Sequence, residues 1–210
     1  SVRNSFVIKQ LVLSNKHIIT SGPTGTGKTV NIMEVLGKGL GDKYMSIIMN
    51  FSAQTTAKQA QDTIQGKLQR RGRGRYAPEK PGAIFIDDMN MPIRQDSGAQ
   101  PPIEILRQWL DHSGWYHLGT KNFITVENII LLGAMGVPGG GRNYLSQRFQ
   151  RHFNLITYNE LDDTSVTTIF SKILNYFLVK FPDEIKETIS DIIAVTLKDY
   201  KEIKNVMLPT

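Results

Sequence analysis

Residues 22–29 read Gly-Pro-Thr-Gly-Thr-Gly-Lys-Thr and match the pattern G-x-x-x-x-G-K-[ST], which is typical of a phosphate-binding loop, or P-loop. Glycines suit this role because backbone N–H groups must face the phosphates with no Cβ atom in the way. Lys28 would bring its charge to the β- and γ-phosphates, and Thr29 would offer its hydroxyl to Mg²⁺. The sequence therefore predicts a site for ATP or a close purine triphosphate. The residues predicted to contact it are Gly22, Pro23, Thr24, Gly25, Thr26, Gly27, Lys28 and Thr29.

A second motif supplies the metal side of this site. Residues 84–88 read Ile-Phe-Ile-Asp-Asp, a short apolar run that predicts a buried strand ending in two carboxylates. Asp87 would join Thr29 in holding Mg²⁺, and the two motifs in this order indicate a P-loop NTPase. Asp88 stands where many ATPases have a glutamate that orients the attacking water. Its side chain is one methylene shorter, and a misplacement of ~1 Å can slow a reaction ~100-fold. Asp88 is thus a weakened catalytic residue or a cap for the next turn.

The segments around these motifs alternate between strand and helix. Apolar stretches predict five strands, and helices are expected between them, with a hairpin at 115–127. This alternation indicates an α/β fold: a three-layer sandwich with a five-stranded parallel sheet. The predicted strands are 17–20, 44–51, 83–86, 128–135 and 153–158. The predicted helices are 30–36, one with its N-cap at Thr55 or Thr56 that runs to about 69, 103–111 behind two prolines, and one that starts at 143 or 146 and runs to 151.

Beyond residue 159 the pattern becomes entirely helical. Asp162 or Asp163 can cap a helix at 164–179, and Pro182 can start another that runs to about 205. We therefore expect a large nucleotide-binding domain at 1–158 and the start of a small helical lid at 159–210. Because the chain begins without Met and stops at Thr210, we also expect it to be a segment of a longer protein.

Composition removes several classes of function. The chain has no cysteine, its four histidines lack ligand spacing, and no apolar run approaches the ~20 residues of a membrane span. The net charge is +6, but six bases and one acid fall within residues 67–80. We expect the Arg/Gly stretch at 70–75 to be a solvated loop, with contact to RNA or an acidic partner as the alternative. Residues 160–210 hold nine acids and six bases, so a basic face for nucleic acid is not evident.

Three longer stretches then carry a family resemblance: FIDDMNMP at 85–92, QPPIEILRQWLDHSGWY at 100–116 and LSQRFQRHF at 145–153. With the P-loop, they make the chain resemble the AAA+ superfamily and, more narrowly, a dynein heavy-chain motor, most like the third of the six modules of an axonemal dynein. The resemblance implies an ATP or ADP site with Mg²⁺ between this module and its neighbour. It also implies, through the parent protein, dynein subunits and microtubules as partners and a place in the cytoplasm, in the axoneme of cilia or flagella.

The resemblance further assigns roles to residues near the end of the sheet. Arg148 is the arginine finger expected to reach the nucleotide of the adjacent module, with Arg151 as the alternative and ordinary surface pairing as the plain explanation of both. The family's polar sensor, usually Asn, aligns with Gly136, which has no side chain to touch the γ-phosphate. Together with Asp88, and with a chain that ends before the family's second sensor arginine, this predicts damped hydrolysis.

Three functional hypotheses follow. The first is a nucleotide-binding regulatory module of a microtubule motor, in which bound nucleotide biases the conformation of the ring. The second is an autonomous P-loop ATPase that remodels nucleic acid or protein substrates. The third is a scaffold that keeps ADP permanently for structure.

Overall fold

The structure is a computed structural model that describes residues 2–207, apart from the side chain of Lys204. The chain divides into two compact units, the first ending at Asn159 and the second beginning at Glu160. The strands are β1 Ile18–Ser21, β2 Met45–Asn50, β3 Gln69–Gly72, β4 Arg75–Ala77, β5 Gly82–Asp87, β6 Gly114–Tyr116, β7 Phe123–Val126, β8 Ile129–Met135 and β9 Asn154–Thr157. The α-helices are α1 Val2–Leu13, α2 Lys28–Glu34, α3 Ala57–Gln65, α4 Pro101–His112, α5 Gln147–Gln150, α6 Asp163–Phe177, α7 Asp183–Glu187 and α8 Ile189–Val206.

Five strands form one parallel sheet in the order β2-β5-β8-β1-β9, which confirms the predicted fold class. Strands in the middle of such a sheet are covered on both faces and therefore read as continuous apolar runs. In β5 the residues from Ala83 to Ile86 are at most 1% exposed. Because all five strands run in one direction, Ser21, Asp87 and Met135 end at the same edge of the sheet.

Two hydrophobic cores cover the two faces of this sheet. One contains Ile8 and Val12 of α1, Ile32 of α2, and Phe85 of β5. The other is built around Trp109 of α4 and the remaining side chains of the same strands. Helix α1 was not predicted from the sequence, although its buried residues have the i, i+4 spacing of one helix face.

Local signals set the starts of several helices. Thr56, one of the two predicted N-cap residues, forms a reciprocal capping box with Gln59 at α3. Prolines occupy the first turn of α4, where a missing N–H costs nothing. Helix α2 runs directly into a π-helical turn, Val35–Gly39, and single 3-10 turns follow at Gly41–Lys43 and, later, Leu178–Lys180.

The Arg/Gly stretch departs from its prediction. Residues 70–75 are not a solvated loop but lie in the β3–β4 hairpin of a second sheet, ordered β3-β4-β7-β6. Long-range pairing holds this hairpin: β4 pairs parallel with β7, and Arg75 makes two hydrogen bonds to Glu127 at 3.1 and 2.9 Å. The predicted hairpin at 115–127 is present as β6 and β7.

The second unit consists of helices. Asp162 caps α6 by accepting a hydrogen bond from the N–H of Ser165. The single helix predicted from Pro182 to about 205 is wrong, because the chain breaks at Thr188 between α7 and α8. The Thr188 hydroxyl bonds back to the carbonyl of Ile185, which competes with continuation of the helix. That this unit is the start of a lid stays a prediction. None of the described helices has the length and apolar character needed to cross a membrane.

Candidate functional site

The P-loop joins the carboxyl end of β1 to the first turn of α2. Gly25 and Gly27 have left-handed backbones, with φ of 78° and 86°, and an added Cβ at either would meet no heavy atom within 4 Å. Gly27 is also the residue before α2, and no side chain caps that helix start. The loop therefore presents backbone N–H groups from an open cradle, which suits a phosphate chain.

Lys28 is held inside this loop. The residue is 9% exposed, and its Nζ donates hydrogen bonds to the carbonyls of Gly22 at 2.8 Å and Pro23 at 2.6 Å. Burial lowers the pKa of Lys28 from its usual value, Arg142 lowers it further, and Asp87 and Asp88 oppose the fall. Phosphate oxygens beside Nζ would compensate for the lost hydration of this buried cation.

The two sequence motifs meet through one hydrogen bond. The hydroxyl of Thr29 donates to Oδ2 of Asp87 at 2.8 Å, although the two residues are 58 positions apart. Mg²⁺ prefers oxygen ligands and is usually held by one or two protein groups together with substrate phosphates. A hydroxyl and a carboxylate this close, beside the cradle, fit that requirement. The structure thus brings together the residues predicted for phosphate and for metal.

Asp88 follows in a left-handed backbone conformation, with φ of 48°, which is uncommon for a residue other than glycine. Its N–H donates to Oδ1 of Asp87 at 3.0 Å, and its backbone carbonyl, not its carboxylate, accepts the bond that closes the following turn. The carboxylate is 41% exposed and lies 3.8 Å from Nη2 of Arg142. Asp88 is therefore beside the P-loop lysine but tied to an arginine that sequence reasoning did not select.

Two residues of this edge were missed. Asn90 is fully buried, and its side-chain amide donates to the carbonyl of Gly136 at 2.9 Å. Arg142 packs directly against Gly136. The signal for Arg142 was its place at the end of the Gly-rich stretch 136–142, just after a strand that ends at the ligand edge.

The two candidate fingers differ in their surroundings. Arg151 donates to Oδ1 of Asp111 at 2.5 Å, and this bond is the main reason that the pKa of Asp111 falls to about 2. His152 also contacts that carboxylate, at 2.7 Å. Arg148 is exposed on α5, and within residues 2–207 no ion pair involves it. Arg151 is thus committed to a carboxylate of its own chain, whereas Arg148 faces outward.

Known proteins are similar to this chain in sequence. A model of the family described as "P-loop containing dynein motor region" matches residues 1–161. Dynein axonemal heavy chain 12 of Mus musculus is 41% identical over 215 residues, which cover 100% of this chain and 7% of that protein. Dynein axonemal heavy chain 1 of Homo sapiens is 39% identical over 228 residues, with 100% and 5% covered. The Dynein-1-beta heavy chain of the flagellar inner arm I1 complex of Chlamydomonas reinhardtii is 39% identical over 212 residues, again with 100% and 5% covered.

Proposed function

This chain belongs to the family of P-loop-containing dynein motor regions, as an AAA+ module of the axonemal dynein type, and we propose that it binds Mg-ATP or Mg-ADP and acts mainly through occupancy of that site. The hydrogen bond between Thr29 and Asp87 carries this proposal. It sets the hydroxyl and the carboxylate that Mg²⁺ would use next to a cradle whose lysine is already buried.

Slow turnover is the second part of the proposal. The carboxylate that would position the attacking water is that of Asp88, which is one methylene shorter than the glutamate of many ATPases. This side chain is partly exposed and faces Arg142. Gly136 offers no polar side chain at the end of β8, where the family places its sensor. Nucleotide would then bind firmly and react slowly, so that the bound state itself biases the conformation of the ring.

The chain spans only 5 to 7% of the length of the three relatives described above, so its wider setting is also proposed. We place it as the third module of an axonemal dynein heavy chain, between neighbouring AAA+ modules of the same chain. Dynein subunits and microtubules would be partners of the parent protein, located in the cytoplasm in the axoneme of cilia or flagella. Arg148, exposed on α5, would reach the adjacent module's nucleotide.

Equilibrium titration tests the binding part. The nucleotide-stripped chain is titrated with fluorescent ATP and ADP in the presence of Mg²⁺, followed by exchange against unlabelled nucleotide. The proposal expects saturable binding of both and ready exchange. Absence of saturable binding would end it, whereas retained ADP that never exchanges would favour the scaffold hypothesis.

A second titration addresses the autonomous remodelling ATPase. Arg70, Arg71 and Arg73 are exposed on the β3–β4 hairpin, which is the observation that keeps this alternative open. It predicts RNA or DNA binding that weakens steeply with salt and is lost when these arginines and Arg75 are neutralised. A flat salt response would exclude this alternative.

The role of Arg148 is tested in the parent heavy chain. Arg148→Ala should slow hydrolysis at the neighbouring module, by ~10³-fold if the guanidinium acts as an arginine finger, and leave nucleotide affinity in this module unchanged. Equal rates of hydrolysis in variant and wild type would show that Arg148 is an ordinary surface residue and not an arginine finger.

A further inference from the structure

The loop after β8 carries a cation to the edge of the nucleotide site. Arg142 has a side chain that is only 18% exposed, and its Nη2 lies 3.8 Å from Oδ1 of Asp88. Its Nε is buried and has no hydrogen-bond partner within the described structure. A distance of 3.8 Å exceeds that of a hydrogen bond, so this ion pair leaves the donors of the guanidinium largely uncommitted.

The arginine occupies the place that a side chain at 136 would take. A Cβ built on Gly136 would fall 2.3 Å from Nε, 2.4 Å from Cδ and 3.1 Å from Cζ of Arg142. Gly136 is the first residue after β8, at the edge where Asp87 and the P-loop meet. The space that a side chain at position 136 would occupy is thus filled by the guanidinium of Arg142, six residues further along the loop.

Both ends of this loop are fixed to the segment that follows β5. The side chain of Asn90 holds the carbonyl of Gly136 at 2.9 Å, and the backbone carbonyl of Asn90 accepts from the N–H of Asn143 at 2.9 Å. The Asn143 side chain also donates to the carbonyl of Pro92 at 3.0 Å. Arg142 lies between these anchors, so its backbone is positioned by the same segment that carries Asp88.

Arg142 lies at the edge of the sheet that also holds the P-loop lysine. Its ion-pair partner Asp88 follows Asp87, which accepts a hydrogen bond from the hydroxyl of Thr29, the neighbour of Lys28. Two cations at this edge, and a guanidinium nitrogen that lacks a hydrogen-bond partner in the described structure, together suit an added anion.

We propose that Arg142 contacts the terminal phosphate of the nucleotide bound in its own module, and that it gives the site a preference for triphosphate over diphosphate. The inference rests on the proposed function, since it requires that this site binds purine nucleotide. The planar guanidinium can donate two parallel hydrogen bonds to phosphate oxygens, a geometry that a single amide at position 136 could not supply. Arg142 thereby supplies the contact to the terminal phosphate that Gly136 cannot make.

The competing explanation is that Arg142 only pairs with Asp88. A partly exposed ion pair of this length contributes little to stability, and it gives no reason for the close approach to Gly136. The two explanations differ in nucleotide selectivity: a terminal-phosphate contact affects the triphosphate alone, whereas loss of a structural pair affects both nucleotides equally.

The test measures the affinities of Mg-ATPγS and Mg-ADP for the same preparation of each variant. Arg142→Ala should weaken ATPγS by about 10- to 100-fold and leave ADP within about twofold. Arg142→Lys should retain part of the preference. Arg73→Ala removes an exposed arginine of the β3–β4 hairpin and serves as the control for net charge.

Gly136→Ala provides an independent variant, because its backbone is not left-handed and its new methyl would displace the guanidinium without removing the charge. It should reproduce the loss of selectivity, with the far-ultraviolet circular dichroism unchanged. The precondition is that wild type binds both nucleotides and that Lys28→Ala binds neither. If the ratio of ATPγS affinity to ADP affinity in Arg142→Ala then equals that of wild type, this inference alone is overturned. If wild type binds neither nucleotide, the proposed function itself fails.

Discussion

The two sides of the candidate site are built in different ways. The phosphate side, residues 22–29 with Asp87, is made from two contiguous motifs joined by the Thr29–Asp87 hydrogen bond. The water side, Asp88 with Gly136 and Arg142, combines a strained backbone, a missing side chain and an arginine from a loop. The phosphate side has the residues that nucleotide binding requires. The water side lacks the glutamate and the polar sensor that fast hydrolysis would use. Binding and turnover should therefore respond to different substitutions.

Lys28→Ala should give the largest effect, because it removes the buried cation of the phosphate side. We expect affinity for Mg-ATP to fall by about 100-fold or more, since each charged hydrogen bond contributes roughly 1.5–3 kcal/mol. Titration with fluorescent ATP measures the loss. Lys38→Ala, an exposed lysine in the turn after α2, is the matched control and should bind as wild type does. Equal affinity in both variants would show that residues 22–29 do not bind the phosphates.

Asp87→Asn should have the next largest effect and should act through the metal. We expect a loss of affinity of about 10- to 50-fold in Mg²⁺, because the neutral amide is a poor magnesium ligand. Chelation of Mg²⁺ by EDTA should weaken wild type by a similar factor and change the variant little. Asp96→Asn, on an exposed loop, is the control. A variant as sensitive to EDTA as wild type would show that Asp87 does not hold the metal.

Asp88→Glu addresses the water side. The longer carboxylate should speed single-turnover hydrolysis about 10-fold while Mg-ATP affinity stays within about twofold, because positioning of water, not binding, is changed. Quenched-flow measurement of ADP formation gives the rate. Slower hydrolysis in the variant would show that Asp88 is already well placed and would remove the contrast between the two sides.

Mild acid should weaken the framework beneath both sides. His17, just before β1, accepts a hydrogen bond at Nδ1 from the N–H of Leu131 at 2.9 Å and so must be neutral. Burial, aided by His152, lowers the pKa of His17 to about 4. The unfolded chain then binds a proton that the folded chain does not, so stability is lost as the pH falls from about 6.5 toward 4.

Chemical denaturation should register this loss as about 1 kcal/mol between pH 6 and pH 5. His17→Gln keeps an acceptor without titrating and should flatten the dependence, whereas His112→Gln, at an exposed position, should not. A second loss is expected below pH 4, as Asp111, with its pKa of about 2, becomes protonated. A pH dependence unaltered by His17→Gln would assign the loss to other groups.

The phosphate side could be predicted from the sequence because its chemistry is contiguous: glycines, lysine and threonine lie in one run, and Asp87 ends an apolar strand. The β3–β4 hairpin could not, because all four residues of β3 are exposed and so show no alternation. Its pairing partner β7 lies about 50 residues further along the chain. The sequence showed that position 136 lacks the polar side chain of the sensor. Only the fold shows that Arg142 fills the space that such a side chain would occupy.

The partition of bound ATP between release and hydrolysis distinguishes a site that acts through occupancy from one that acts through turnover. Labelled ATP is bound to the parent heavy chain, and the same measurement on its Lys28→Ala variant is subtracted, so that only nucleotide held by this module is counted. We expect most of this nucleotide to leave the site as unhydrolysed ATP, because binding is intact and turnover is damped. Release of most of it as ADP would show that this site works through turnover and not through occupancy.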